Sequence, residues 1–559
     1  MPERIDVRIP CQGVELATTV HLPDARPAPA ILVRTPYDLA AEASAARVVD
    51  RGYACVWQQV RGRFGSDGEF EPLRHEISDA HDTVDWIVAQ PWSDGTVGLS
   101  GMSYPGAASW LGALSGHPAV KAIAPGTTGS VFDGLGYYSP GVPQLDLVYL
   151  WPIMHMLSEA DDPDLATLMA SSVLDTALAA RDDPALYAKL PALIAAETAA
   201  AERLLSRPLS ELTSLLEKHL PWVREWAAHP DPADPYWRDL DYARRLPELD
   251  VPTIHLGGWH DVFIRGTLRD FALMSGRSPQ RLIISPFTHL GSEIPVGQWT
   301  PPIAAESDPL AMNTVGTSVA PGPEAVTRWM DRFVRGLDNG VEDEPVISLY
   351  VQRADRWRHT STWPLPETVW TTLHPSAGGI LATEPGTRSD TFTYDPSDPV
   401  PSAGGTFLTG IRPAGVFDQS EVERRADVLV YTSPVTDGVE ITGPVTVELD
   451  ATTTAVDTDF TAKLCDVSPD GTSVNVCEGI TRLAFRPDST IRIELSPTSY
   501  WFAPGHALRL QLSSSSFPLT APNPNTGRNW LVDPHDPVTA VQTVFHSSRL
   551  ILPVIPADR

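Results

Sequence analysis

Short apolar runs alternate with helical stretches over the first part of the chain. Residues 30–35 (AILVRT) and 54–58 (ACVWQ) are continuous apolar runs, the pattern of strands covered on both faces. Between 78 and 90, Ala80, Val84, Ile87 and Val88 recur at helical spacing. Residues 98–102 and 120–124 return to strand character, the second stopped by Pro125. Strand, helix and strand joined by short turns predict a mostly parallel sheet with helices on both faces.

From about 132 to 241 the period changes. Residues 164–180 and 191–205 are rich in Ala and Leu at helical spacing, with Asp164 and Pro191 as helix starts, and Pro/Asp turns separate the segments. This reads as a helical insertion. Strand character returns at 252–256 and 281–285, and residues 323–337 predict a closing helix that ends at Asp338-Asn339-Gly340. After about 345 the segments are short and alternating, among them 346–352, 427–432, 445–449, 459–465, 491–495 and 507–513, with Gly, Pro and Asp between them. That texture predicts a β-sandwich or jelly roll. The expected units are a sheet domain in two parts (1–131 and 242–344), the insertion (132–241) and the C-terminal β domain (345–559).

Composition narrows the class. A chain of 559 residues exceeds one compact core, and 54 prolines with 39 glycines agree with a large β component. The net charge of −29, from 41 basic and 70 acidic residues, repels phosphate backbones and argues against nucleic acid as a partner. No run of 18 apolar residues occurs and the N-terminus lacks an apolar signal region, so neither membrane nor export is expected and the chain is placed in the cytoplasm. Cys11, Cys55, Cys465 and Cys477 have neither zinc nor disulfide-scaffold spacing. Cys465 and Cys477 could face each other across a hairpin, with a reduced pair expected.

The chemistry centres on Gly101-Met102-Ser103-Tyr104-Pro105-Gly106, where an apolar strand turns tightly into an Ala-rich helix. A serine on such a turn is held out of the sheet beside the positive end of the helix, as acyl-transfer chemistry requires. The second glycine falls one place later than in G-x-S-x-G, and G-x-S-x-x-G also occurs in ordinary turns. The serine needs a base and the base an orienting acid. Residues 252–261 form a strand that leaves through two glycines to present Asp261, and residues 281–289 form one that leaves through proline to present His289. His255 and His260 are rivals for the base, the first within the strand and the second next to the acid. For the oxyanion, the Tyr104 N–H follows the nucleophile, and Tyr37 follows a strand ending in Pro36, where it is either a donor across the site or a packed aromatic. No metal, phosphate-loop or dinucleotide motif accompanies these residues, and no cofactor is expected. The glycine-rich stretch 62–68 reads as an ordered loop.

Together these residues resemble the bacterial cocaine esterase-like (CocE/NonD) hydrolases, relatives of the X-prolyl dipeptidyl peptidases and α-amino acid ester hydrolases. The markers are Arg34-Thr35-Pro36-Tyr37, Arg61-Gly62, Ser66 to Phe70, Asp82 to Trp86, Gly101 to Gly106, Gly258-Trp259-His260-Asp261, Ser285 to His289, Asp427 to Thr432 and Asp457 to Gly471. The family's own G-x-S-Y-x-G accounts for the late glycine. The resemblance implies an α/β-hydrolase domain, a helical cap and a C-terminal jelly roll. It implies Ser103, Asp261 and His289 as the triad, Tyr37 and Tyr104 as oxyanion donors, and Phe263 in the substrate pocket. The expected activity is hydrolysis of a small-molecule ester through an acyl-enzyme, and the resemblance favours a homodimer. Where the family generally carries Asp before the Arg-Gly pair, this chain has Gln58, Gln59 and Val60.

Two other readings stay open. Peptide or amide cleavage of the X-prolyl dipeptidyl type needs a cap carboxylate for a free amine, and Glu159, Asp161 and Asp162 are on offer. A binding protein built on the jelly roll, with an inactive hydrolase domain, is the other. The cap aromatics Phe132, Tyr137, Tyr138, Tyr149 and Trp151 either line an apolar site or simply pack.

Overall fold

In the computed structural model the first sheet contains ten strands and runs past the expected boundary. The structure describes residues 3–38, 41–129, 137–138, 141–160, 162–169, 189–274, 276–289, 296–302, 324–408, 412–435, 437–483, 490–534 and 536–556. The strands are β1 (Glu3–Cys11), β2 (Val14–Leu22), β3 (Ala28–Thr35), β4 (Ala54–Gln59), β5 (Ser93–Met102) and β6 (Val120–Gly126). Across the cap, β7 (Tyr137–Tyr138) pairs with β8 (Val142–Pro143), and the sheet resumes with β9 (Thr253–His260), β10 (Gln280–Thr288), β11 (Ile347–Val351) and β12 (Arg356–Thr360). The order is β1-β2-β4-β3-β5-β6-β9-β10-β11-β12, parallel from β4 through β11.

Helices α1 (Ala41–Asp50), α2 (Glu76–Val88) and α3 (Tyr104–Leu114) connect the early strands. Every residue of α3 is buried, because it lies between the sheet and the cap. Gly106 makes that depth possible: a Cβ there would stand 2.9 Å from the Gly101 carbonyl oxygen and 3.0 Å from that of Gly126. The glycine therefore belongs one position after Pro105, where the helix crosses the tips of β5 and β6. The opposite face is covered by α1 and by the late helix Ala325–Phe333, whose Val326, Trp329 and Met330 cluster with Ile31, Ala122 and Ile254.

One expectation needs correction. The run 346–352, read as the opening of the C-terminal β domain, forms β11 and pairs in parallel with β10. Its apparent alternation of apolar and polar residues does not mark a solvated face. Ser348 is buried and hydrogen-bonds His359 Nδ1 at 3.0 Å, while Ile347 and Leu349 pack with Trp259, Ile264 and Ile284. The hydrolase sheet thus extends through β12.

The cap contains α4 (Trp151–His155), α5 (Pro163–Met169), α6 (Leu190–Leu205), α7 (Leu209–Leu216) and α8 (Pro221–Ala228). The expected helix 164–180 is seen over Pro163–Met169, and its remainder lies outside the described residues. The cap's first segment is laced to the C-terminal domain: Leu145 N–H donates to Leu519 O and Ala521 N–H to Pro143 O. The C-terminal domain is all β, built on an eleven-stranded sheet around its own core of Phe460, Leu464, Tyr500, Phe502 and Leu510 among others. All four cysteines are free and buried, with Cys477 opposite Leu464 and Cys465 opposite Asn475 in the hairpin. No helix among the described residues is long and apolar enough to cross a membrane.

Candidate active site

β5 delivers Ser103 to the head of α3 with φ 59° and ψ −129°, a conformation a serine adopts only under constraint. The turn is held by Ser103 N–H donating to Gly126 O at 3.0 Å and Ala107 N–H donating to Ser103 O at 3.0 Å. Tyr104 is the first residue of the helix, so its N–H has no acceptor within the helix and faces the same end as the Ser103 side chain. Its ring points the other way. The Tyr104 hydroxyl donates to Glu76 at 2.8 Å and accepts the Leu73 N–H at 2.9 Å. Glu76 is in turn paired with the buried Arg34 at 2.5 Å, and Arg34 Nε donates to Gln58 Oε1 at 2.8 Å. Burial, with the Glu76 charge beside it, pushes the Tyr104 hydroxyl far above its ordinary pKa.

β9 and β10 carry the acid and the imidazole. Gly258 lets the two strand ends come together, since a Cβ there would stand 2.3 Å from the Phe287 carbonyl oxygen. Beyond it Asp261 is fully buried, and its Oδ1 accepts from His289 Nδ1 at 2.8 Å and from Phe263 N–H at 3.2 Å. With Nδ1–H engaged by a carboxylate, the neutral His289 keeps Nε2 as its acceptor. The rivals are structural. His255 bonds Gln280 at 3.0 Å between Trp110 and Phe271, and burial pushes it down to about 3. His260 bonds Gln352 at 2.8 Å, and burial pushes it down to about 4.

Ser103 opens into a cavity of about 390 Å³ of empty space, counted to its mouth. Tyr37 and Ser103 both line it, and burial pushes the Tyr37 hydroxyl up to about 12. Phe263 connects the two halves of the site, lining the cavity and meeting the His289 ring edge-on at 5.4 Å. The rest of the wall is Pro72, Leu73, Leu147, Trp151, Trp226 and Leu408. Of these, only Trp151 was among the sequence candidates. Leu408 comes from beyond residue 345, so the C-terminal domain contributes to the pocket, and nothing in its local sequence signals it. Tyr149 packs instead, with its hydroxyl on Thr213 at 2.9 Å. Phe132 and the side chains of Tyr137 and Tyr138 lie outside the described residues.

Among the described residues no cap carboxylate lines this cavity. Glu159 is exposed, Asp162 is paired with Arg207 at 2.7 Å, and Asp161 lies outside the described residues. Asp146 directly precedes Leu147 but turns away to accept the Leu408 N–H at 2.5 Å, and burial raises it to about 6. Among the described residues, one His/Asp group brings ligand atoms within metal-binding reach of one another: His81, Asp82 and Asp85 on α2, outside the cavity. The glycine-rich stretch is an ordered loop, with Gly62 N–H on Asp67 O at 2.9 Å and Arg61 on Asp79 at 2.6 Å.

Comparison with known proteins extends over the whole architecture. Residues 12–291 match the X-Pro dipeptidyl-peptidase (S15 family), and residues 339–549 match the X-Pro dipeptidyl-peptidase C-terminal non-catalytic domain. The chain is 34% identical to a cocaine esterase of Rhodococcus sp. (strain MB1 Bresler), over 98% of each chain. Its fold is shared by an aminopeptidase from a marine sediment archaeon, Thaumarchaeota archaeon, at 23% identity and a TM-score of 0.76, covering 99% of this chain and 97% of the other. An α-amino acid ester hydrolase superposes with a TM-score of 0.75 at 24% identity, covering 99% and 96%.

Proposed function

This chain belongs to the X-Pro dipeptidyl-peptidase (S15) family of hydrolases, in its cocaine esterase-like (CocE/NonD) branch, and from that premise we propose that it cleaves carboxylic esters of small apolar acyl groups through an acyl-enzyme on Ser103. The observation that carries the reading is the wall of the Ser103 cavity: among the described residues no lining side chain is charged, and the polar groups are the hydroxyls of Ser103, Tyr37 and Tyr104 and the indole N–H groups of Trp151 and Trp226. A substrate amine would meet no carboxylate there among the described residues, whereas a neutral acyl group finds a wholly compatible surface.

In this mechanism His289 takes the Ser103 proton on Nε2 as Oγ attacks the ester carbonyl carbon. Asp261 holds the imidazole by Nδ1 and stabilises its charged form. The carbonyl oxygen becomes an oxyanion and accepts hydrogen bonds from the Tyr37 hydroxyl and the Tyr104 N–H. As the tetrahedral intermediate collapses, His289 gives its proton to the leaving alkoxide and the alcohol departs. Water then attacks the acyl-enzyme carbonyl with His289 as base, and the acid leaves as Ser103 regains its proton.

The test is a paired assay of p-nitrophenyl acyl esters against Gly-Pro and Ala-Pro p-nitroanilides, with Ser103→Ala as the blank. Ester turnover that depends on Ser103, with inert anilides, is expected. Efficient anilide cleavage would overturn ester preference in favour of the dipeptidyl-peptidase reading that the family name carries.

A further inference from the structure

A residue of the cap makes a polar contact with the wall of the Ser103 cavity. Trp151, the first residue of α4, directs its indole N–H at the Tyr37 hydroxyl oxygen, 3.1 Å away. An indole N–H can only donate, so Tyr37 is the acceptor in that bond. The phenolic proton is therefore not engaged in that bond, and Tyr37 lines the same cavity as Ser103.

We propose that Trp151 is a positioning residue for the oxyanion hole: by occupying a lone pair of the Tyr37 oxygen it fixes the phenol with its proton directed at Ser103, where the oxyanion develops. This rests on the reading of Tyr37 as an oxyanion donor. Burial keeps the phenol protonated across the working range, so there is always a proton to direct. A donor on the phenol oxygen also polarises its O–H, which strengthens the bond it gives.

The contact is braced on every side. The indole stacks on the Tyr104 ring, with centroids 6.3 Å apart and planes 15° from parallel, and packs against Trp222 at 6.1 Å. At the other end of α4 the His155 ring meets the Tyr37 ring edge-on at 5.3 Å. Arg63 then ties that helix end to the loop bearing Tyr37. Its Nη2 and Nη1 donate to the carbonyls of His155 at 2.6 Å and Met156 at 3.2 Å, and its Nε donates to Pro36 O at 3.0 Å. A guanidinium at a helix C-terminus is favourably placed for this. The first cap helix is thereby part of the catalytic framework as well as a wall of the pocket.

The experiment separates the N–H from the ring that bears it. Trp151→Phe is compared with Tyr37→Phe and with the double variant, reading kcat, KM and the affinity of an arylboronic acid, which forms a tetrahedral adduct on serine. Trp151→Phe is expected to lower kcat about tenfold, the worth of one neutral hydrogen bond. It should weaken boronic acid binding by a similar factor and lower kcat no further once Tyr37 is Phe. Lost wall area, by contrast, should show in KM in both backgrounds. An equal fall of kcat in both backgrounds would reduce Trp151 to packing and overturn the proposal. So would an unchanged kcat in Trp151→Phe beside a depressed one in Tyr37→Phe, which leaves the oxyanion reading standing. A normal kcat in Tyr37→Phe would remove that reading and the proposal together. Should Trp151→Phe fail to fold, benzothienylalanine at position 151 keeps the ring shape, replaces the N–H by sulfur and is read in the same way.

Discussion

Leu73 donates its backbone N–H to the Tyr104 hydroxyl at 2.9 Å while holding a left-handed φ of 65°. The pair joins a strained residue of the pocket wall to the residue that follows Ser103. Tyr242 completes the grip by donating its hydroxyl to Leu73 O at 2.9 Å. A leucine at positive φ is costly, and these two tyrosines supply the compensating bonds. Replacing Tyr104 by Phe should leave the Leu73 N–H unpaired and remove a donor from Glu76. The expected loss is about 2–4 kcal/mol of stability, from two buried polar groups losing a partner. The proposed oxyanion donor at Tyr104 is a backbone N–H, so ester kcat should fall far less than in Tyr37→Phe. Thermal denaturation beside ester kinetics checks both halves.

Asp261→Asn isolates the role of the carboxylate. Asp261 Oδ1 accepts His289 Nδ1–H, and an amide NH₂ facing that nitrogen would favour the opposite tautomer. Nε2 would then carry the proton and could not take one from Ser103. A fall in kcat of about 10³–10⁴ with little change in KM is expected from the wrong tautomer alone. A fall below tenfold would mean that another group orients the imidazole.

Much of this candidate site was legible because its residues sit toward strand ends with local signals. Gly101 to Gly106, Gly257-Gly258 before Asp261 and Pro286 before His289 each mark a strand leaving the sheet, and the residue types at those exits limit the chemistry. The parallel strands were legible for a related reason: fully buried strands read as unbroken apolar runs. The β1/β2 hairpin and β11 escaped that test. In β11 the buried Ser348 finds its partner on β12, which no local pattern reveals. The pocket wall was the least readable part. Leu73, Leu147, Trp226 and Leu408 come from four separate stretches of chain. Each is an ordinary apolar residue until the fold brings them to one cavity.

Three histidines held below the free imidazole value make the fold sensitive to acid. Burial pushes His155 and His260 down to about 4 and His255 to about 3, against 6.5 for a free imidazole. Below 6.5 the unfolded chain takes up protons that the folded chain refuses. The stability these groups contribute is present above that pH and is lost as the pH falls toward 4. Asp146 opposes them, since its raised value of about 6 favours the folded state at low pH, an effect lost as the pH rises through 6. With three groups against one, acid destabilises, each proton being worth about 1.4 kcal/mol per pH unit. Melting temperature should fall between pH 6.5 and 4.5, and the fall should be shallower in His260→Gln, which can still bond Gln352. An unchanged slope in that variant would mean that His260 is protonated in the folded state.

The contact between the C-terminal domain and the cap rests on a buried charge pair. Arg482 binds Asp459 through Nε and Nη2, each at 2.9 Å, and lends Nη1 to Gly141 O at 2.7 Å. Its guanidinium also lies over the Trp530 ring, 4.2 Å from the centroid. Such a pair contributes little net stability when complete, because desolvation offsets the attraction, but removing one member strands the other charge in a dry site. Arg482→Met should therefore cost about 3–5 kcal/mol. The double variant Arg482→Met with Asp459→Leu should recover much of that loss, since neither member of the pair is then left without the other. Gly141 stands just before β8 and the segment leading to Leu147, so both variants release the same anchor of the cap. If that anchor shapes the pocket, ester KM rises in both while stability falls in only one. Denaturant unfolding and ester kinetics on the two variants separate the electrostatic role of Arg482 from its role in holding the cap.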